Sequence, residues 1–208
     1  MCHRFATLTI AQVREVLASL KRATPLRPLL AADDERAEAF PGTDVALIAT
    51  EDGSGMQATQ LSWGFDLPAK RKLVFNTRIE RAAYSSFWQD SYLHRRCVVP
   101  ALSFCETHRS MLADDGRGKR VRQVYRFSLN GGAPLLMGGI WCEDRFSILT
   151  TEPSPALAAV HDRMPLLLDE SAALSWLEGA DICKASPLEL ASAPVYAGGP
   201  ARGQLGLF

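Results

Sequence analysis

Between Val45 and Thr151 the apolar residues fall into seven short runs: Val45–Thr50, Met56–Trp63, Leu73–Asn76, Cys97–Phe104, Gln123–Leu129, Pro134–Trp141 and Phe146–Thr151. Each is of strand length and too short for an ordinary helix, and turn-forming clusters such as EDGSG, DDGRG and NGG stand between them. A chain patterned in this way folds as a sheet with tight connections. The clearest run is RQVYRFSL, in which Tyr125, Phe127 and Leu129 alternate with Arg126 and Ser128. That alternation gives one apolar and one polar face and predicts a half-buried antiparallel strand. Helical spacing is rarer. Ile10, Val13, Val16, Leu17 and Leu20 share one face after Thr7 or Thr9 as N-cap, predicting a helix over 9–21 that Pro25 and Pro28 follow. Two further helices are expected over Arg78–Gln89 and Glu170–Glu178, the second stopped by Gly179. The fold class is α+β, a mostly antiparallel sheet or open barrel with helices at its ends. No repeat or linker divides the chain, so a single domain over 1–208 is expected, with a loose tail from about Ala197.

A hydrophobic content of 47% over 208 residues supplies a core and excludes general disorder. No apolar run approaches the roughly 18 residues that a membrane helix needs. The start, MCHRFATLTIAQ, lacks a secretory layout, and five cysteines without a CxxC pair suit a reducing compartment, so a cytoplasmic location is expected. Lys+Arg and Asp+Glu both total 23, but the balance is local: Lys70–Arg126 holds thirteen cations against five anions. Most cations are arginine, whose guanidinium grips a phosphate through two parallel hydrogen bonds. The central segment therefore suits a phosphate-bearing partner, or else forms a solvated basic face offset by acidic ends.

Cys2 carries the first chemical signal. Initiator methionine is normally removed before a side chain as small as Cys, which would leave an amine and a thiol on one residue. Their ordinary pKa values are about 7.7–8.0 and about 8.5. Such a 1,2-aminothiol traps aldehydes: the amine condenses to an imine and the sulfur closes a thiazolidine ring. His161, in AAVHDRMPLLL, is a candidate proton carrier near neutral pH. Glu106 ends the apolar run CVVPALSF and is expected at a strand rim, partly desolvated, with a raised pKa. His94, Cys97, Cys105 and His108 have the spacing of a zinc site, but the segment between the cysteines is too apolar for a zinc loop. The sequence carries no P-loop, GxGxxG, HExxH or GxSxG motif, which removes the usual ATPase, dinucleotide and hydrolase signatures.

Several motifs then fall into one order: Met1-Cys2-x-Arg4-Phe5, Trp63-Gly64, Asn76-x-Arg78-x-Glu80, Arg96-Cys97-x-Val99-Pro100-Ala101, Glu106, Gly139-Ile140-Trp141, and FSILTTEPSPALAAVHDRMPLLL. Together they resemble the SOS response-associated peptidase (SRAP) family of abasic-site processing proteins, over residues 1 to about 178. The resemblance implies a compact α+β domain with a curved, barrel-like sheet and a basic groove. It also implies capture of abasic sites in single-stranded DNA through a covalent bond from Cys2 to the sugar aldehyde, with lyase potential and no metal or organic cofactor. By position, Cys2 corresponds to the nucleophile, Asn76 to the group orienting its amine, and Glu106 and His161 to the acid/base pair. Arg4, Arg78 and Arg163 correspond to phosphate contacts, and Trp63 to a stacking residue or a core tryptophan. A monomer is expected.

The chain departs from the family pattern at His3, where Gly is usual, and at Ser103-Phe104-Cys105-Glu106-Thr107, where a Gly and two aromatics are usual. Two other functions are open to these residues. One is a cysteine peptidase with an N-terminal nucleophile, since some family members expose Cys2 by autoproteolysis. The other is a diverged nucleic-acid binder without covalent chemistry.

Overall fold

The computed structural model describes residues 2–29, 37–51, 55–67 and 72–196; Met1 and the tail expected from Ala197 lie outside the described residues. The chain opens with strand β1 (Arg4–Thr7) and helix α1 (Ile10–Lys21), followed by β2 (Glu38–Ala39), β3 (Asp44–Glu51), β4 (Gln57–Trp63), β5 (Phe65–Leu67), β6 (Lys72–Val74) and β7 (Asn76–Arg78). Two short helices, α2 (Ile79–Ala82) and α3 (Gln89–His94), lead into the long strand β8 (Arg95–Asp114) and its hairpin partner β9 (Arg120–Leu129). Then come β10 (Leu135–Cys142), β11 (Arg145–Thr151), α4 (Pro155–Ala158), β12 (Met164–Pro165), β13 (Leu167–Leu168), α5 (Glu170–Leu177) and β14 (Leu190–Pro194).

β8 is the spine of the sheet. Its first part pairs with β3 on one side and β10 on the other, and its later part pairs with β1 and β9. Because β10 also pairs with β11, and β11 with β4, the sheet curves back on itself around an interior. Most pairings are antiparallel, as the alternating pattern predicts, but β11 runs parallel to both β7 and β4.

Successive side chains on a strand point to opposite faces, so a sheet covered on both faces needs continuous apolar runs rather than alternation. That accounts for VALIA in β3, CVVPA in β8 and LLMGGI in β10. One face lines the interior with Phe5, Leu47, Trp63, Val99, Phe104, Phe127, Met137 and Phe146. The neighbouring residues Ile48, Val98, Leu136 and Ile140 face out and are covered by Val13, Leu17 and Leu20 of α1 and Trp176 of α5. Helix α1 starts where Thr9 accepts the Gln12 N–H while the Gln12 side chain accepts from the Thr9 N–H, a reciprocal capping box. Gly139 permits the close approach of β8 and β11, since a Cβ there would lie 2.8 Å from Cys97 Sγ and 2.9 Å from the Ser147 carbonyl.

Two expectations need correction. The helix predicted over Arg78–Gln89 is broken into α2 and α3, with turns where the Ser85 carbonyl accepts both the Trp88 and Gln89 N–H groups. Glu106 is not at a strand rim: β8 continues eight residues beyond it, to Asp114, and its side chain is fully buried.

Candidate active site

Cys2 lies two residues before β1, buried in the interior core. The Asn76 Nδ2 donates to the Cys2 carbonyl oxygen at 2.6 Å, and the Cys2 backbone N–H lies close enough to the Glu106 carboxyl to favour its charged form. The Cys2 Sγ–H points to the Arg4 carbonyl at 3.6 Å. Asn76 thus grips Cys2 by its carbonyl and not by the nitrogen that would become the amine. It is held in place through β7, where Thr77 Oγ1 and Ser147 Oγ are 2.9 Å apart and Thr150 Oγ1 donates to the Thr77 carbonyl at 3.3 Å.

Glu106 and its cross-strand partner Tyr125 share the inner face with Phe104 and Phe127, because directly paired residues project to the same side. Burial pushes the Glu106 carboxyl up to about 7; the positive charge of the amino terminus opposes the rise, and Asp162 adds to it. Such a carboxyl exists in both protonation states near neutrality, which is what a group that both gives and takes protons requires. Burial, and next the Glu106 charge, push the Cys2 thiol well above its ordinary range, so it stays protonated at neutral pH.

His161 follows α4 in a loop strapped to β8: the Arg109 N–H donates to the Val160 carbonyl at 3.1 Å and Arg109 Nη2 to the Ala158 carbonyl at 3.0 Å. The ring Nδ1 accepts the Arg163 N–H at 3.1 Å and lies 3.0 Å from Asp162 Oδ1. Burial lowers its pKa, opposed by Asp162. A lowered pKa and an Nδ1 that accepts a backbone bond agree on a neutral ring with its proton on Nε2; Asp162 pairs with the ring only when the ring is charged.

The three arginines fare differently. Arg78 is exposed at the start of α2. Arg163 is clamped by both oxygens of Glu80, at 2.7 and 2.8 Å, and also donates to the Thr150 carbonyl. Hydrogen bonding to Arg163 in turn lowers the Glu80 pKa. Arg4, Cys105 and Arg126 are in register on adjacent strands and so share one face, opposite to Phe104 and Glu106. Both guanidiniums reach Glu38, each at 3.3 Å, and Arg4 Nη2 contacts Cys105 Sγ at 3.6 Å.

Trp63 is a correction to the expected stacking residue. It is fully buried against Phe5, Phe75 and Phe146, and its Nε1–H donates to the Phe75 carbonyl at 2.8 Å, so no face of the ring is open to a base. The zinc-like spacing is not assembled either: Cys97 is part of the interior core, while His108 Nδ1 accepts the Ser110 and Met111 N–H groups. Sequence reasoning missed Glu38, the carboxylate that occupies Arg4, named Glu80 only as a motif position and not as the partner of Arg163, and missed Tyr125 beside Glu106. The last was open to detection, since the strand pattern already placed Tyr125 on an apolar face.

The fold and site define a protein organised around its second residue, a buried cysteine whose backbone nitrogen meets a carboxyl that titrates near neutrality. The chain belongs to the family described as SOS response associated peptidase (SRAP), whose profile matches residues 1–197. Among relatives, it is 28% identical over 193 residues to the abasic site processing protein YedK of Escherichia coli K12, covering 85% of this chain and 79% of that protein. It is 27% identical over 145 residues to the abasic site processing protein YoaM of Bacillus subtilis 168, covering 63% of this chain and 61% of that protein. The crystal structure of a Bordetella bronchiseptica protein superposes with a TM-score of 0.66 at 22% identity, over 93% of this chain and 99% of that chain. A second crystal structure, of a phage-related protein from the same organism, gives a TM-score of 0.67, also at 22% identity, over 93% and 94% of the two chains. At that identity the likeness concerns the fold.

Proposed function

We propose that this protein captures abasic sites in single-stranded DNA and joins them covalently to Cys2. The observation that carries the reading is the burial of Cys2, gripped through its carbonyl by Asn76, with its backbone nitrogen near the buried Glu106 carboxyl. Once Met1 is removed, that nitrogen is a primary amine held against a proton acceptor, while Asn76 fixes the carbonyl on its other side.

The order of bond formation follows from the protonation states. The thiol is kept neutral by burial, so the amine attacks first, adding to C1′ of the ring-opened sugar aldehyde. Protonated Glu106 gives its proton to the departing hydroxyl, one water leaves, and an imine forms. The thiol then adds to the imine carbon; its proton passes through Glu106 to the ring nitrogen, and a thiazolidine results. Protein and DNA are joined with net loss of one water. His161, neutral and with a proton on Nε2, is suited to proton transfer during opening of the sugar ring. An imine at C1′ also acidifies the adjacent carbon, which is the source of strand-cleaving lyase activity. Arg78 takes a flanking phosphate directly; Arg4 and Arg163 do so by exchanging a carboxylate partner for the phosphate.

Cys2→Ala tests this reading. The variant keeps the amine and loses the sulfur, so borohydride should still trap an imine while no crosslink survives without reductant. A Cys2→Ala protein that forms a stable crosslink rules the mechanism out. DNA-independent turnover of peptides by the unmodified protein supports the peptidase alternative, and DNA affinity without any covalent product supports the non-covalent binder.

A further inference from the structure

Beyond the reactive centre, the segment after β7 carries an unusual exposed row. Arg78, Arg81, Tyr84 and Phe87 recur every third residue along α2 and the turns that follow it, and all four are exposed. Helix α2 buries Ile79 and Ala82, which turns Arg78 and Arg81 outward. The chain keeps a helix-like course beyond it, since the Arg81 carbonyl accepts the Tyr84 N–H at 3.2 Å and the Ser85 N–H at 2.9 Å.

Tyr84 is 86% exposed and Phe87 53%, far more than large aromatic side chains ordinarily show. Phe87 is nevertheless fixed in place. Its ring meets Trp88 edge-on at 4.4 Å and Phe65 at 6.2 Å, and those two rings are themselves 4.9 Å apart and nearly perpendicular. A ring buttressed from behind and open in front loses little freedom when a flat partner stacks on it.

The charge around these rings is positive. Glu80 lies in the same stretch, bound through both its oxygens to Arg163, and is outnumbered there by Arg78 and Arg81. Interleaved cations and aromatics suit a chain of bases and phosphates better than an apolar protein surface. The row also begins two residues after Asn76, the residue that grips Cys2, and so leads away from the reactive centre.

We propose that Arg81, Tyr84 and Phe87, continuing from Arg78, form a subsite for unpaired nucleotides flanking the lesion, with the two rings stacking on bases and Arg81 holding a phosphate. The proposal rests on the reading above that the protein acts on single-stranded DNA. It supplies stacking surface that the buried Trp63 does not offer.

The test is fluorescence anisotropy with a fluorescein-labelled oligothymidylate that contains no abasic site, run beside crosslinking to an oligonucleotide that carries one. Tyr84→Ala should weaken oligothymidylate binding about tenfold, and Tyr84→Trp should retain it. Arg81→Gln should reduce the slope of log affinity against log salt by about 0.7, the loss of one single-strand phosphate contact. Crosslinking of the abasic oligonucleotide at sub-saturating concentration should slow in proportion for Tyr84→Ala and for Phe87→Ala. Because Tyr84 is almost fully exposed, its replacement leaves the fold intact, and urea unfolding of the variant verifies that. Affinity and salt slope unchanged within twofold in both Tyr84→Ala and Arg81→Gln, in a protein that crosslinks normally, would overturn the subsite. A loss of affinity in Tyr84→Ala combined with no crosslink from any form would uphold the subsite and refute the covalent reading.

Discussion

Replacing Glu106 with Gln removes the ionisable group and keeps the side chain's shape, so it isolates the cost of a buried carboxylate. Burial raises the Glu106 pKa from 4.5 to about 7. Below about pH 4.5 the carboxyl is protonated in both folded and unfolded chains and costs nothing. Between about pH 4.5 and 7 the folded state holds a proton that the unfolded state has lost, so stability falls as pH rises; above about 7 the full penalty is present. At about 1.4 kcal/mol for each unit of pKa, that penalty is about 3 kcal/mol. Urea unfolding of both proteins across this range should therefore give similar stabilities near pH 4 and an advantage for Glu106→Gln that grows to about 3 kcal/mol by pH 8. The same variant should lose crosslinking by a factor of about 100 or more, the ordinary worth of a positioned acid/base group. Stability differences that stay flat with pH would refute the assignment of a raised pKa to Glu106.

Trp63→Ala should destabilise the fold by about 3–5 kcal/mol in urea unfolding, as for a large core aromatic; a variant of wild-type stability with weaker DNA binding would restore its role as a stacking residue. Glu80→Gln should alter stability by less than about 1 kcal/mol, since Glu80 is half exposed, but should tighten single-stranded DNA binding by releasing Arg163. Unchanged affinity in a salt titration would remove Arg163 from the phosphate contacts. Asn76→Ala should slow crosslinking about tenfold to a hundredfold with little change in DNA affinity, through loss of a short hydrogen bond to the Cys2 carbonyl. Equal losses in rate and affinity would make Asn76 a DNA contact instead.

Local pattern made much of this fold legible. Periodicity and capping residues placed α1 to within one residue of its observed start, and alternation in RQVYRFSL placed Tyr125 and Phe127 on the inner face. The continuous runs in β3, β8 and β10 marked strands but did not reveal that both faces are covered, because an apolar run reads alike in either case. Glu106 was placed at a rim because the apolar run ends there, whereas the strand continues through Arg109 and Asp114 as the half-exposed arm of a hairpin. The parallel pairings of β11 and the ion pairs Arg163–Glu80 and Arg4–Glu38 join positions 83 and 34 residues apart. No local signal encodes them. The order of family motifs brought Cys2, Asn76 and Glu106 together as a set; the atom by which Asn76 holds Cys2 comes from tertiary packing alone.

Intact-mass spectrometry of the purified protein, before and after incubation with single-stranded DNA bearing one abasic site, tests the central claim most directly. The account predicts a starting mass without Met1, followed by one adduct at the mass of protein plus DNA minus one water, formed without reductant. A protein that lacks Met1, binds the DNA and yields no adduct would contradict it.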